Sequence, residues 1–484
     1  MDGGSRQSRS STIKLMAIVG VGLAIRLLPV VFHYGTPSLF LDSDSQEYQQ
    51  IAVNLLSEHG YSTDAHAPYA ANMYRPPLLP VLLAGLYGVI GISIPAAIAL
   101  QAVVSSATII LTFYLARELT GQRNLALVAA LVLALDPVAI QYSNLLLTET
   151  YTSFLLLVVA CCITAHRRSH SVRWLWALGV LFAAGIMLHP VLLFLPPFLL
   201  VLPFLRRETR SWQQFAVALA AVAIAYIPAS AWVARNYIIG DYFGISTVTA
   251  VNLLKYKAAG VEADLRGTTR EIERDRLTLE CEAELAPGAT PGERCRLWQR
   301  RAAEILRAHP LTYAKVHAKG MALEFIGPER DHTTRLLYGS VAWDENGEYS
   351  DESIAADHRN RAEPVRETAR YLILCWQGCL LLGLFGGIWL TGRSRPALLA
   401  ILALMPLYIL ALSGGPESSP RFRVLYLPQI SLLTAVGFCT LAASMRKRRL
   451  ETDATPYPWH EWQEDTAGDL KSEPLTRASI PLES

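Results

Sequence analysis

Between Leu41 and Tyr48 the chain reads Leu-Asp-Ser-Asp-Ser-Gln-Glu-Tyr, which places the carboxylates Asp42, Asp44 and Glu47 within one short stretch. Farther on comes Tyr74-Arg75-Pro76-Pro77. A carboxylate can take a proton from a hydroxyl, and a guanidinium fork matches the oxygens of a phosphate. The same residue types recur at distant positions. Glu149 ends Asn144-Leu-Leu-Leu-Thr-Glu, and His189 precedes Pro190. Arg235 lies in Trp232-Val-Ala-Arg-Asn-Tyr237. Glu417, Arg421 and Arg423 lie in Gly414-Gly-Pro-Glu-Ser-Ser-Pro-Arg-Phe-Arg423. These groups make a catalytic site only if the elements between them converge.

Most of those elements are apolar. Of 484 residues, 52% are hydrophobic and 17% charged, against about 25% charged in an average soluble domain. The deficit is concentrated in long apolar runs, as in a polytopic membrane protein. A net charge of +2 is too small to suggest a nucleic-acid partner. Residues 13–33 read as an uncleaved first span interrupted by Arg26, and Arg6, Arg9 and Lys14 before it predict a cytoplasmic N-terminus.

Leu78–Ile92 is apolar but short for a span, which needs about 20 residues. Left outside as an amphipathic helix, it puts every basic cluster on one side: Arg117/Arg123, Arg167/Arg168/Arg173, Arg206/Arg207/Arg210, Arg393/Arg395 and Arg446–Arg449. The remaining spans are then roughly 95–116, 124–141, 148–165, 173–188, 191–205, 213–234, 368–391, 396–413 and 423–444. The expected fold is all-α, with about ten spans. A transmembrane domain covers 1–445, the first outer loop 34–94, and an external helical insertion 239–367. Residues 446–484 read as a disordered cytoplasmic tail.

Within the insertion, Thr268–Leu285 and Gly292–His309 read as helices, the first broken at Pro287-Gly288 and the second ended by Pro310. Cys281 and Cys295 sit one on each arm. In an exported hairpin such a pair can form a disulfide, with two free thiols as the alternative. The other cysteines fall in apolar runs and read as small hydrophobes.

Asp44-Ser-Gln-Glu-Tyr48 resembles the first-loop aspartate motif of the membrane-embedded GT-C glycosyltransferases, in the branch of protein O-mannosyltransferases and lipid A aminoarabinose transferases. Tyr74-Arg75-Pro76-Pro77 resembles the Arg/Lys-Pro segment that follows it. Leu147-Thr148-Glu149 resembles the second acidic position, and Trp232–Tyr237 with Ser246-Thr247 resembles bacterial members. The pattern covers most of 1–445.

The resemblance implies an inverting glycosyltransferase of the plasma (inner) membrane whose active site faces the extracytoplasmic side. A polyprenyl-phosphate-linked sugar would be the donor and a hydroxyl on a lipid, glycan or protein the acceptor. It gives Asp44 the part of base, with Asp42 a second nearby aspartate that leaves the choice open, and Glu149 a supporting part. Arg75, Arg421, Arg423 and Arg235 would bind the donor phosphate. Asp42, Asp44 and Glu149 also suit a divalent cation as cofactor.

Blander readings stand beside these. Asp42 could close an Asx-turn or cap a helix, Glu47 could serve the first helical turn, and Asp136 could cap a span end. Arg26 could snorkel or pair with an acid. It also sustains the rival function, a transporter or flippase of an anionic lipid or solute, although transporters show internal repeats and midplane charge and no repeat is visible here. A lipid-binding assembly protein is the third reading.

Overall fold

The computed structural model describes residues 2–204, 212–327 and 356–450. The Arg206/Arg207/Arg210 cluster, part of the insertion and the tail from Glu451 lie outside the described residues. Residues Met1–Gly437 form one compact unit, and Phe438–Ser484 a second that is helical through Leu450.

The described residues contain helices and no strand. In order they are α1 (Asp2–Phe32), a 3-10 turn (Pro37–Phe40), α2 (Ser43–Leu56), α3 (Leu78–Ile90), α4 (Ile94–Thr120), α5 (Arg123–Leu135), α6 (Pro137–Tyr142), α7 (Glu149–Ser169), α8 (Arg173–Leu188), two 3-10 segments (Pro190–Phe194 and Pro196–Phe204) where a span was expected at 191–205, and α9 (Trp212–Gly240). The insertion adds α10 (Val248–Val251), a π-helical segment (Asn252–Ala258), α11 (Ala259–Arg266), α12 (Arg270–Glu284), α13 (Pro291–Ala308) and α14 (Pro310–Ile326). α15 (Ala356–Ser394), α16 (Pro396–Ser413), a 3-10 turn (Pro420–Tyr426) and α17 (Leu427–Leu450) follow.

Among the described residues six helices are long and apolar enough to cross a membrane: Ser10–Phe32, Ile94–Thr120, Glu149–Ser169, Trp212–Gly240, Glu367–Ser394 and Pro420–Met445. Five apolar helices are shorter, among them Leu78–Ile90 and Arg173–Leu188. The chain is an all-α polytopic membrane protein. The expected span at 124–141 is instead two helices, because Asp136-Pro137 ends α5 and starts α6.

Small residues let these helices close on one another, the usual device where lipid is as apolar as the core. A Cβ on Gly179 of α8 would meet the Ala221 carbonyl of α9 at 2.7 Å, and one on Gly387 of α15 would overlap the Leu433 carbonyl. α4 packs against α1, α5 and α7, and α8 against α7 and α9.

Arg26 is buried inside this bundle. Its guanidinium donates to Ser105 Oγ (2.8 Å) and to the carbonyls of Gly22 (3.0 Å), Ala134 (2.9 Å) and Leu133 (3.3 Å). The last two are orphan acceptors at the C-terminus of α5, so Arg26 closes a helix end. Asp136 accepts from the Val138 and Ala139 amides and from Trp376 Nε1, as an N-cap of α6.

In the insertion, α12 and α13 lie where alternating Glu/Arg runs predict helices. Pro310 does more than end α13. It opens α14 from the first turn, where its missing N–H costs nothing. Cys281 and Cys295 are free thiols in one apolar cluster with Met73, Leu254, Leu277 and Trp298. Of the two readings of this pair the structure has the free thiols, and burial pushes both up to about 11.

Candidate active site

α2 starts at the acidic motif. Asp42 is its N-cap: Oδ1 accepts from the Ser45 amide (2.7 Å) and hydroxyl (2.8 Å). That is the bland reading made real, worth about 1 kcal/mol to the helix. With Asp42 holding the end, Asp44 falls in the first turn and Glu47 and Tyr48 on the next.

The stretch from Ser57 to Pro77 brings Arg75 back over α2 without regular structure. Side chains replace the missing ladder. Asn72 Oδ1 accepts from the Tyr74 and Arg75 amides (both 2.9 Å), and Tyr61 donates to the carbonyls of Arg75 and Pro76 (both 3.0 Å). Arg235 of α9 donates to the Asn72 carbonyl at 2.6 Å and lies over the rings of Tyr61 and Trp232. Arg235 thus reaches the loop that carries Arg75 and makes no ion pair with Asp44.

Glu149 opens α7. The buried segment before it is tied to the first loop by the Leu146 amide, which donates to the Phe40 carbonyl at 3.0 Å. Arg421 arrives from the other end of the chain on the 3-10 turn, where Ser419 Oγ accepts from its amide at 3.3 Å.

Asp44, Arg75, Glu149 and Arg421 meet, with Glu47 beside Arg75. Arg75 Nη2 lies 2.7 Å from Asp44 Oδ1 and Arg75 Nε 2.6 Å from Glu47 Oε2. Arg421 Nη1 lies 2.8 Å from Asp44 Oδ2 and Arg421 Nε 3.4 Å from Glu149 Oε1. Asp44 is therefore held on both oxygens by separate guanidiniums. The rings of Tyr48 and Tyr74 flank Arg75, with its carbon 5.2 and 4.6 Å from their centroids.

Burial alone would push the Asp44 carboxyl up. The charges of Arg421 and Arg75 more than reverse that and hold it well below the usual carboxylate range. Burial pushes the Tyr74 hydroxyl up to about 12, so it stays neutral. His189 is held near 4, by burial first and then by the charge of Arg421. Its Nδ1 faces the Val191 amide at 3.3 Å. It is a neutral neighbour of the cluster.

Arg423, two residues beyond Arg421, goes elsewhere. It is buried and donates to the Phe325 carbonyl of α14. The structure brings Asp44, Glu149, Arg75 and Arg421 together, with Asp42 at the foot of the same helix. It does not bring Arg423 or Arg235 to Asp44. Glu47 joins as the second partner of Arg75, which its place one helical turn after Asp44 allowed.

As a donor set for a divalent cation, Asp42, Asp44 and Glu149 do not fit as they are disposed. Asp42 gives one oxygen to a helix end, both Asp44 oxygens take guanidiniums, and Arg421 stands between Asp44 and Glu149. Among the described residues no three His, Cys, Asp or Glu side chains are grouped to hold a metal ion.

Residues 74–234 match the family model described as dolichyl-phosphate-mannose-protein mannosyltransferase. The match begins at Tyr74-Arg75 and includes Glu149, and it supports the resemblance to GT-C membrane glycosyltransferases. Several solved structures are similar. The Archaeoglobus fulgidus oligosaccharyltransferase AglB, in complex with an inhibitory peptide and a dolichol-phosphate, is 14% identical over 94% of this chain and 53% of its own, with a TM-score of 0.45. ArnT from Cupriavidus metallidurans, bound to undecaprenyl phosphate, is 14% identical over 91% of this chain and 81% of its own, with a TM-score of 0.39. The chain spans about half the length of the archaeal protein. No curated protein sequence matches it.

Proposed function

We propose that the chain is an inverting glycosyltransferase that moves a sugar from a polyprenyl-phosphate donor to an acceptor hydroxyl on a lipid, glycan or protein. It would act on the extracytoplasmic face of the plasma membrane. The observation that carries this reading is one carboxylate clamped by two guanidiniums from opposite ends of the sequence. The family match over 74–234, whose description names a lipid phosphate sugar, supports the donor class.

The chemistry asks little of the protein. A sugar phosphodiester already has a good leaving group, so no acid need protonate it. Asp44 takes the proton of the acceptor hydroxyl as its oxygen attacks the anomeric carbon. The carbon–oxygen bond to phosphate breaks on the opposite face, and the lipid leaves as a phosphate with one more negative charge. Arg75 and Arg421 receive that charge. Each has a terminal nitrogen, Nη1 of Arg75 and Nη2 of Arg421, with no hydrogen bond to a described residue. Donor phosphate competes with Asp44 for the two guanidiniums. Drawing them toward phosphate returns basicity to the carboxylate when the donor is in place. Glu149 keeps Arg421 oriented.

The rival reading, transport of an anionic lipid or solute, drew on Arg26. That guanidinium is spent on Ser105 and three carbonyls. The test is transfer by purified protein from polyprenyl-phosphate sugars, with Asp44→Asn beside the wild type. Loss of transfer with donor binding kept supports the base. Full activity of Asp44→Asn removes it.

A further inference from the structure

The loop that delivers Arg421 reads Gly414-Gly-Pro-Glu-Ser-Ser, and it has no helix of its own until Pro420. Its shape comes from the insertion. Lys257, on the π-helical segment, donates to the Gly414 carbonyl at 2.8 Å and lies 2.7 Å from Glu417 Oε1, with both side chains nearly buried. Arg270, first residue of α12, donates to the Pro416 carbonyl. Glu324 of α14 is fully buried and accepts from Ser413 Oγ (2.8 Å), Ser418 Oγ (3.0 Å) and Tyr426 Oη (2.6 Å). Gly320 lets the backbones touch, since a Cβ there would overlap the Gly415 carbonyl.

These anchors bracket Arg421, with Ser413 to Ser418 before it and Tyr426 after. A buried Lys–Glu pair is a poor source of stability, because desolvating both charges offsets most of their attraction. Its use is to set one register. π-helical segments recur at functional sites because they re-aim side chains, and this one aims Lys257 at the last loop.

We propose that Lys257 and Glu324 are positioning residues for Arg421, holding the last loop so that its guanidinium reaches Asp44 and Glu149. The proposal rests on the lipid-phosphate reading above for its purpose and on the contacts for its mechanics. The insertion is then a brace for the site, and neither residue touches the donor.

The experiment uses the full chain in nanodiscs with undecaprenyl phosphate as probe. Two quantities are read: amide exchange in peptides covering 414–423, and probe affinity. Lys257→Met is expected to speed exchange in that segment about tenfold, leave α4 and α7 unchanged, and weaken the probe about tenfold. In an Arg421→Ala background the same substitution should weaken the probe less than about twofold, because the route runs through Arg421. Lys257→Arg should restore most of the affinity. Glu324→Gln repeats the test if Lys257→Met folds poorly. Unchanged exchange, or losses that multiply in the double variant, overturns the proposal. A wild type that does not bind the probe while exchange still responds sinks the lipid-phosphate reading and leaves the bracing of Arg421 standing.

Discussion

Arg26 and Arg421 are both guanidiniums held among apolar helices, and they are held in opposite ways. Arg26 faces neutral acceptors, one hydroxyl and three carbonyls, that belong to α1, α4 and α5. Arg421 faces two carboxylates from the first turns of α2 and α7, and Arg75 competes for one of them. The first arrangement satisfies a helix end and has nothing left to exchange. The second sets charge against charge, which a phosphate can rearrange. An ionisable group at membrane depth is a functional candidate by default; its partners decide whether the default holds.

Substitution should separate the two regions cleanly. Asp44→Asn keeps the shape and removes the base, and it is expected to lower kcat at least about 10³-fold, within the range assigned to general bases. Thermal stability should fall as well, since Arg75 and Arg421 lose the carboxylate between them. Arg26→Met should cost stability alone. It leaves the Leu133 and Ala134 carbonyls without a donor, at about 1–3 kcal/mol for each buried group, so melting temperature and yield fall. Turnover per folded molecule should stay within about threefold of wild type. Turnover lost in Arg26→Met protein of normal stability would merge the two regions and revive transport.

The next largest effect lies within the cluster. Arg421→Gln removes one of the two charges that depress Asp44 and leaves the burial that raises it. Ionised Asp44 contributes stability that is present above the ordinary carboxylate range and is lost only as pH falls through its depressed value. A base must also be ionised, so wild-type kcat/KM should show no acid limb from Asp44 at mildly acidic pH. In Arg421→Gln the protonation midpoint moves up, and a rising limb should enter between about pH 4 and pH 7, on top of a loss of about 100-fold. A profile parallel to wild type would mean that Arg421 does not control Asp44.

The sequence shows Asp44, Glu149, Arg75 and Arg421 as a set because polar residues at the ends of apolar runs are few. It does not separate Arg421 from Arg423. A 3-10 turn has about three residues per turn, so neighbours two apart leave it in different directions, one toward Asp44 and one toward Phe325. Arg235 carries the right chemistry, yet the geometry of Asn72, 163 positions away, decides its partner. Lys257 and Glu324 are invisible for a similar reason. Each is an ordinary charge in a polar stretch until α11 and α14 fold against the last loop. The helices α12 and α13 were legible from local pattern; α14 was not, because Pro310 reads equally as a stop and as a first turn.

Asp42 gives the smallest effect and the sharpest division. It lies two residues from Asp44, on the same helix and with the same carboxylate, and it does for α2 what Arg26 does for α5. Its Oδ1 is given to Ser45, so it closes a helix end with neutral partners. Asparagine caps a helix about as well as aspartate. Asp42→Asn should therefore keep kcat within about threefold of wild type, and Asp42→Ala should lose about 1 kcal/mol of stability by losing the cap. The contrast with Asp44→Asn is the point: the same change two residues apart, with outcomes differing by about two orders of magnitude. Equal losses in Asp42→Asn and Asp44→Asn would show that both acids serve the chemistry, and the line between capping charge and reacting charge would have to be redrawn through the middle of α2.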